Sequence, residues 1–400
     1  MSKVILATAE KPQYPPCNIF RPHRKYPEIP FDQIASDPNY VYDTVRKAFF
    51  LAGYDAEAYG TAQWNPLKKI VHPNDTVLIK PNFVDHANHG SGGTECLYTQ
   101  PSVIAAVLDY VCIALQDRGK VIIADAPMQS CDFAKLCEQS GLRTLLEFYR
   151  SQMPTIEFEL KDLRGVHSIY KHGILCYEEN RNARQTIVDL GKNSEFAGLS
   201  ERQLQNMRIT NYDPAILNSH HNVYKHEYAI ATEVLEADVI INMPKPKTHR
   251  KAGITASLKN MVGVAVRKEY LPHHTNGALH CSNGGDEYLK PSILRRLNDA
   301  VNDKRNYYAQ TRENKTISWL LLQLGRILTH SARYIKKDKY IEGSWYGNQT
   351  ISKTITDLNK IVFYADKNGK MPEQVIKPAR RYLIVADMKE KDHCFLHLKC

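Results

Sequence analysis

Short β-rich runs alternate with helical patterns along this chain, and that alternation restricts it to the α/β folds. The runs are Val4 to Thr8, Thr76 to Lys80 ("TVLIK"), Val121 to Ala124 ("VIIA"), Thr155 to Leu160 and Val239 to Asn242 ("VIIN"). Between the second and third, Val103, Ala106, Val107, Tyr110, Val111, Ile113 and Leu115 fall at helical spacing, with Thr99 as the expected cap and Gly119 past the end. Strand, helix and strand in that order predict a right-handed crossover joining parallel neighbours. A second helix is predicted over Asp132 to Ser151, bent or stopped near Gly141, and beyond Pro291 the chain turns helical over Ser292 to Tyr307, Thr316 to Ile335 and "NQTISKTITDLNKIVFYA". The expected fold is α/β: a mixed, largely parallel sheet with crossover helices and a helical C-terminal portion over residues 291–365.

Four hundred residues, 43% of them hydrophobic, suffice for a sizeable core. No repeat, low-complexity tract or clean linker divides the chain, so one interwoven domain over 1–400 is expected. Residues 161–228, rich in Asn, Arg, Tyr and His, read as an insertion with local structure. Lys and Arg number 53 against 43 Asp and Glu, and the formal charge of +10 favours anionic partners without choosing among them. Nine cysteines (Cys17, Cys96, Cys112, Cys131, Cys137, Cys176, Cys281, Cys394 and Cys400) form no CxxC pair, and the odd count argues against a fully paired disulfide set. A reducing cytoplasm is the expected compartment. The apolar run at the N-terminus is shorter than the ~7 to 15 residues of a signal peptide's core. Likewise "ISWLLLQLGRIL" (Ile317 to Leu328) is too short for the ~20 residues that span a bilayer, and reads as a core-facing or interface helix.

In open α/β sheets ligands sit beyond the carboxyl ends of the strands, so the residues after each apolar run come first. After "TVLI" comes "KPNFVDHANHGSGGT", which offers Lys80, Asn82, Asp85, His86 and His89 and a Gly-rich turn ending in Thr94. Such a turn can bring backbone N–H groups to an anion, or it can be an ordinary connection. Asp125 follows "VIIA". After "VIIN" comes "MPKPKTHRKAG", where Pro244 and Pro246 stiffen the strand exit and Lys245, Lys247 and His249 occupy alternate positions.

Gly253 then gives a flexible corner before "TASLKN", with Thr255 as the expected N-cap and Ser257, Lys259 and Asn260 in the first turn and a half of a helix. A helix start beside lysines favours anions. The alternative is a solvated basic loop. Lys259 stands between Leu258 and Met261, and partial burial with cationic neighbours would lower its pKa and make it a nucleophile or proton carrier. On an exposed helix it would be an ordinary solvated charge.

His273, His274 and His280, with Cys281 beside the last, lack a recognised zinc spacing and read as a polar loop near the site. Cys131 and Cys137 read as packing residues. The basic helix with Arg295, Arg296, Lys304 and Arg305 is interleaved with Asp299 and Asp303 and reads as a solvated amphipathic face, so no nucleic-acid partner is expected.

The blocks "VLIKPNFV", "TQPSVIAAVLDYV", "ADAP", "ADVIINMPKPKTHRKAGITASLKNMVG" and "WYGNQTISKTITDLNKIV", in that order, resemble the family of domains of unknown function number 362. That resemblance spans roughly residues 20 to 386 and brings no general activity with it. Some relatives carry ferredoxin-type cysteine clusters, but this chain has no CxxCxxC. The spacing of His249, Ala252, Gly253, Lys259 and Gly263 is similar to a segment of the nickel-pincer lactate racemases, and implies an acid/base His249 and a cofactor-anchoring or charge-stabilising Lys259. Ser257 and Leu258 stand where those racemases have a glycine pair. After "RRYLIVAD" the family pattern implies a Gly-rich, GP-containing loop, a strand and a helix, whereas this sequence reads "MKEKDHCFLHLKC", so a truncated copy is expected.

The expectation is a cytoplasmic α/β enzyme of racemase, epimerase, transferase or hydrolase type acting on a small anionic substrate, with neither nucleic acid nor membrane as partner. Lys80, Lys245 and Lys247 would hold anionic groups, Thr94 and Asp125 would line the site, and Asn82, Asn260 and Asn348 would orient the substrate. His249 would move a proton and Lys259 stabilise charge or attack. The rival expectation is a non-catalytic binder of an anionic ligand or an inactive remnant. Cofactor, metal and oligomeric state are left unassigned.

Overall fold

A computed structural model describes residues 4–11, 13–16, 20–90, 92–171, 174–279, 284–336, 347–374 and 377–388. The expectations for His280, Cys281 and the last twelve residues lie outside that set. Two compact units share the chain: Met1–Asp162, Glu236–Lys247 and Arg380–Cys400 make the first, Leu163–Leu235 and Thr248–Ala379 the second.

The first unit opens with α1 (Tyr40–Leu51), β1 (Thr76–Pro81), α2 (Pro101–Leu115), β2 (Gly119–Asp125), α3 (Phe133–Gln139), α4 (Leu142–Gln152) and β3 (Ile156–Asp162). The chain then enters the second unit through a hairpin of β4 (Val166–Lys171) and β5 (Ile174–Glu179). It continues with β6 (Gln185–Asp189), α5 (Glu201–Gln205), β7 (Met207–Arg208), α6 (Pro214–His220), β8 (Glu227–Ala231) and α7 (Thr232–Glu236). It returns to the first unit for β9 (Val239–Met243). A short ribbon of β10 (Lys247–His249) and β11 (Gly253–Thr255), α8 (Ser257–Asn260), β12 (His274–Thr275), α9 (Ile293–Gln310), α10 (Lys315–Lys336) and α11 (Thr350–Tyr364) follow, before β13 (Arg381–Ile384) closes the first unit's sheet.

That sheet runs β13-β9-β1-β2-β3, and every neighbouring pair is parallel. Strands covered on both faces read as continuous apolar runs, and β9 is buried at every position. Fourteen of the fifteen residues of α2 are buried, which is why that helix is apolar all round rather than striped. Gly119 starts β2 at φ +142°, and a Cβ there would stand 2.7 Å from the Asp75 carbonyl oxygen. The bend expected near Gly141 is real: α3 ends before it, and Gly141 takes φ +78° as the residue that starts α4.

Several local expectations are corrected. Val4 to Thr8 is not a strand; Val4 and Leu6 are 92% and 75% exposed, because β-propensity without a ladder partner does not make one. Thr99 does not cap α2, whose N-cap is Gln100. Its hydroxyl instead accepts from the Asn82 N–H (2.8 Å) and donates to the Met243 carbonyl (2.6 Å), tying the ends of β1 and β9. Thr255 does not cap α8 either; Ala256 precedes that four-residue helix, with no side-chain cap. Nor is α10 a core helix: Ser318 and Ala332 are buried, but Trp319, Leu320, Leu324 and Ile327 are exposed.

Candidate functional site

In this sheet β1, β2 and β3 follow one another outward on one side of β1, while β9 and β13 extend the other. The direction of winding therefore reverses between β1 and β9, the point at which α/β sheets open a crevice at their carboxyl end. Lys80 and Asn242 are register partners there, as are Pro81 and Met243. The polar residues after each strand meet at this reversal.

Lys80 has no exposed surface, and its ammonium lies 2.8 Å from Asp125 Oδ1 and donates to the Pro81 carbonyl at 2.7 Å. Asp125 also accepts from the Phe83 N–H (2.6 Å) and the Ala126 N–H (2.8 Å). Burial pulls the Lys80 pKa below its ordinary value against the opposing pull of Asp125. Beside this pair, Lys245 is 3.4 Å from Asp387 Oδ2 with both side chains almost fully buried. Asp387 accepts from the Gln100 N–H (2.9 Å) and from the Tyr14 hydroxyl (2.6 Å), and Lys245 donates to that same hydroxyl. Lys247 donates to Asn82 Oδ1, at 9% and 8% exposure. Five of the expected residues, Lys80, Asn82, Asp125, Lys245 and Lys247, thus form the polar end of one sheet. Two of the three lysines spend their charge on buried carboxylates.

Thr94 is half-buried, 3.3 Å from the Tyr98 hydroxyl. The Gly-rich turn before it is organised by Asn88, which donates to the Gly92 and Gly93 carbonyls and accepts from the Gly90 N–H. That N–H is therefore committed within the turn.

The other expected residues belong to the second unit. Lys259 sits in α8, and loss of hydration lowers its pKa to about 8. Its helix is held by Asn359 of α11, which donates to the Leu258 carbonyl at 2.9 Å. His249 Nδ1 accepts from the Lys251 and Ala252 N–H groups at 3.2 and 3.0 Å. Those bonds favour the neutral ring with its proton on Nε2, a hydrogen-bond donor; action as a base requires Nδ1 to give up both. Asn260 is buried in α8. Asn348 donates to the His273 carbonyl and accepts from the Ile351 N–H, both at 2.9 Å, so it fixes the start of α11. Burial, with Lys259 and Lys251 nearby, drives the His273 pKa to about 3. His274 is likewise held far below its usual range, and lies 3.3 Å from Glu287. An α8 of four residues is too short to act as an anion-binding helix start.

Residues 77–168 and 163–388 match the family described as Domain of unknown function (DUF362). The chain belongs to that family. No curated protein and no solved structure matches this DUF362 chain. No helix among its described residues is long and apolar enough to cross a membrane. Its cysteines argue neither way on compartment, since Cys96 is disulfide-bonded while Cys112, Cys131, Cys137 and Cys176 are thiols.

Asp387, Tyr14 and Thr99 complete the polar cluster and were not expected in it. Asp387 had a readable signal: "LIVAD" before it repeats the pattern of "VIIAD" before Asp125, an acid where an apolar run ends. Tyr14 and Thr99 carry no such signal, because their roles depend on contacts across hundreds of residues. Asp299 was read only as part of a solvated face, but it and Glu287 of the second unit are shifted acids. Burial raises both, helped by Asp286 and Asp303 at Glu287 and by Glu287 at Asp299, which rises to about 8.

Proposed function

We propose that this DUF362 chain is an enzyme acting on a small anionic substrate, a carboxylate, phosphate or sugar derivative. One observation carries the binding half of this reading: Lys80, Lys245 and Lys247 converge at the winding reversal of a parallel sheet. Burying two ion pairs costs several kcal/mol per ion before their attraction is counted. A chain that keeps them at the sheet's ligand-binding edge gains a fixed electrostatic floor there. On this reading Asn82 and Lys247 meet the ligand, and Lys80 and Lys245 act through the groups they position.

Within the second unit, taken by itself, the group best suited to react is the Lys259 amine. A lysine with a pKa of about 8 is neutral in roughly a tenth of molecules at pH 7, against under a thousandth for an ordinary lysine. That suits a nucleophile or proton carrier in racemisation, epimerisation or group transfer. His249, as the Nε2–H tautomer, supplies a hydrogen bond. A second reading, a non-catalytic anion binder, draws support from His249, whose Nδ1 lone pair is taken up by the Lys251 and Ala252 N–H groups.

Two measurements separate these readings. Calorimetric titration with inorganic phosphate and with a simple dicarboxylate should show saturable binding that Lys247→Ala removes; absence of binding of any anion at low salt refutes the first half. Labelling the full chain with a limiting amine reagent at pH 7 should modify Lys259 ahead of the other lysines. Labelling no faster than its neighbours leaves the binder reading.

A further inference from the structure

The loops after β1 and β2 bring three unlike donor atoms together. Asp85 and His86 follow β1, Cys131 follows β2, and one ligand atom from each lies within 4.8 Å of the other two. Asp85 and Cys131 are 3% and 4% exposed, and His86 is half-buried. Backbone bonds hold the two loops in register: the Val84 N–H donates to the Leu97 carbonyl (2.9 Å), the Met128 N–H to the Val84 carbonyl (3.0 Å) and the Cys131 N–H to the Met128 carbonyl (2.9 Å). The donors are thus set on a frame and need little ordering to meet one ligand.

The contact between Asp85 and His86 is informative by itself. His86 Nδ1 lies 2.8 Å from Asp85 Oδ1 and also accepts from the Asp132 N–H at 3.0 Å. Asp85 Oδ1 also accepts from the His86 backbone N–H at 2.8 Å, and a cation that displaces the Asp132 N–H from the single lone pair of Nδ1 would bind both atoms. A proton can serve, and so can a metal ion. With a thiol as third donor, the set is one oxygen, one nitrogen and one sulfur.

We propose that Asp85, His86 and Cys131 bind a zinc-class divalent cation. A carboxylate and a thiolate balance its two charges, and the mixed hard and soft donors fit zinc rather than magnesium or calcium, which take oxygen ligands. Three protein donors leave one tetrahedral position open, as in reactive zinc sites. His89, more exposed and with Nε2 3.9 Å from Asp85 Oδ2, lies outside the donor set and orients the carboxylate. This assignment does not depend on the anion-binding reading.

Cobalt titration of the chelator-treated full chain tests it. One equivalent of Co2+ should give visible ligand-field bands and a thiolate-to-cobalt charge-transfer band, and Zn2+ should displace it. Cys131→Ser should abolish the charge-transfer band, and Asp85→Asn and His86→Gln should each weaken Zn2+ binding by about tenfold or more, while His89→Ala changes it less. Failure to bind an equivalent of either ion, a thiolate band that survives Cys131→Ser, or wild-type Zn2+ affinity in both Asp85→Asn and His86→Gln overturns the site. Far-UV circular dichroism of each metal-free variant guards against misfolding. Should Cys131→Ser fail that control, the other two variants decide.

Discussion

Replacing Lys259 by methionine keeps the length of the side chain and removes its charge. The drop of the amine from 10.5 to about 8 has one cause, loss of hydration on burial, with no carboxylate among its causes. At about 1.4 kcal/mol per pKa unit, that gap destabilises the folded protein by about 3 kcal/mol whenever the amine is protonated in both states. The unfolded chain keeps its proton up to about pH 10.5 and the folded chain releases it near 8, so between those values the unfolded state binds more protons and stability rises with pH. Below pH 8 the full cost stands. Lys259→Met should therefore exceed the wild type by about 3 kcal/mol at pH 6.5, and by only about 1 to 2 kcal/mol at pH 9.5. Urea unfolding followed by fluorescence and circular dichroism at both pH values measures the difference, with coincident transitions required because two compact units can unfold separately. Any packing gain from the methionine is the same at both pH values, so the change with pH isolates the charge. A difference that stays constant would mean that Lys259 is an ordinary solvated lysine, and its catalytic role would fall with it.

Lys80→Met leaves Asp125 charged and buried without its partner, and should cost about 3 to 5 kcal/mol in urea unfolding, part of which Lys80→Met/Asp125→Asn recovers. Asp387→Ala strips Lys245, Tyr14 and the Gln100 N–H of a shared partner at once; a loss of similar size is expected, and a neutral result would remove Asp387 from the cluster. Burial holds Asp109, close to Arg21, up at about 7, so the folded state keeps its proton longer than the unfolded one. Its contribution is greatest below about pH 4 and is lost as pH rises to about 7, so Asp109→Asn should flatten stability over that window. Gly119→Ala sets a Cβ against the Asp75 carbonyl at a positive φ and should cost about 2 kcal/mol of stability in urea unfolding.

The parallel core was legible because its strands are apolar on both faces and short. "TVLIK", "VIIA" and "VIIN" each fall inside an observed strand, and α9, α10 and α11 lie close to their expected bounds. The run at Val4 was misread because composition does not reveal whether a neighbouring strand exists to pair with. Cap assignments failed for a related reason: Thr99 has a hydroxyl that local spacing gives to α2, but β9 offers a carbonyl at 2.6 Å. At the polar edge, residue types were readable and partners were not. Nothing local to Lys80 or Lys245 reveals that Asp125 and Asp387 lie against them, one 45 residues away and the other 142. For Lys259 the flanking residues were a partial guide: Met261 is buried but Leu258 is 61% exposed, so the amine loses its hydration to contacts that local spacing does not reveal.

The position of Asp387 also sets an order of events during synthesis. Chains fold as they emerge from the ribosome, their N-terminal parts first, and the pair of Lys80 with Asp125 can close once about a third of the chain is out. Lys245 emerges next, but the carboxylate that neutralises it lies 142 residues further on, just past the strand that completes the sheet. In the interval the edge of β9 is unpaired and its lysine cannot be buried without a counter-charge. The ammonium must stay in water until β13 arrives, so the carboxyl end of β9 cannot settle early, and a ribosome stalled anywhere between those two residues would hold a chain whose polar edge is still open.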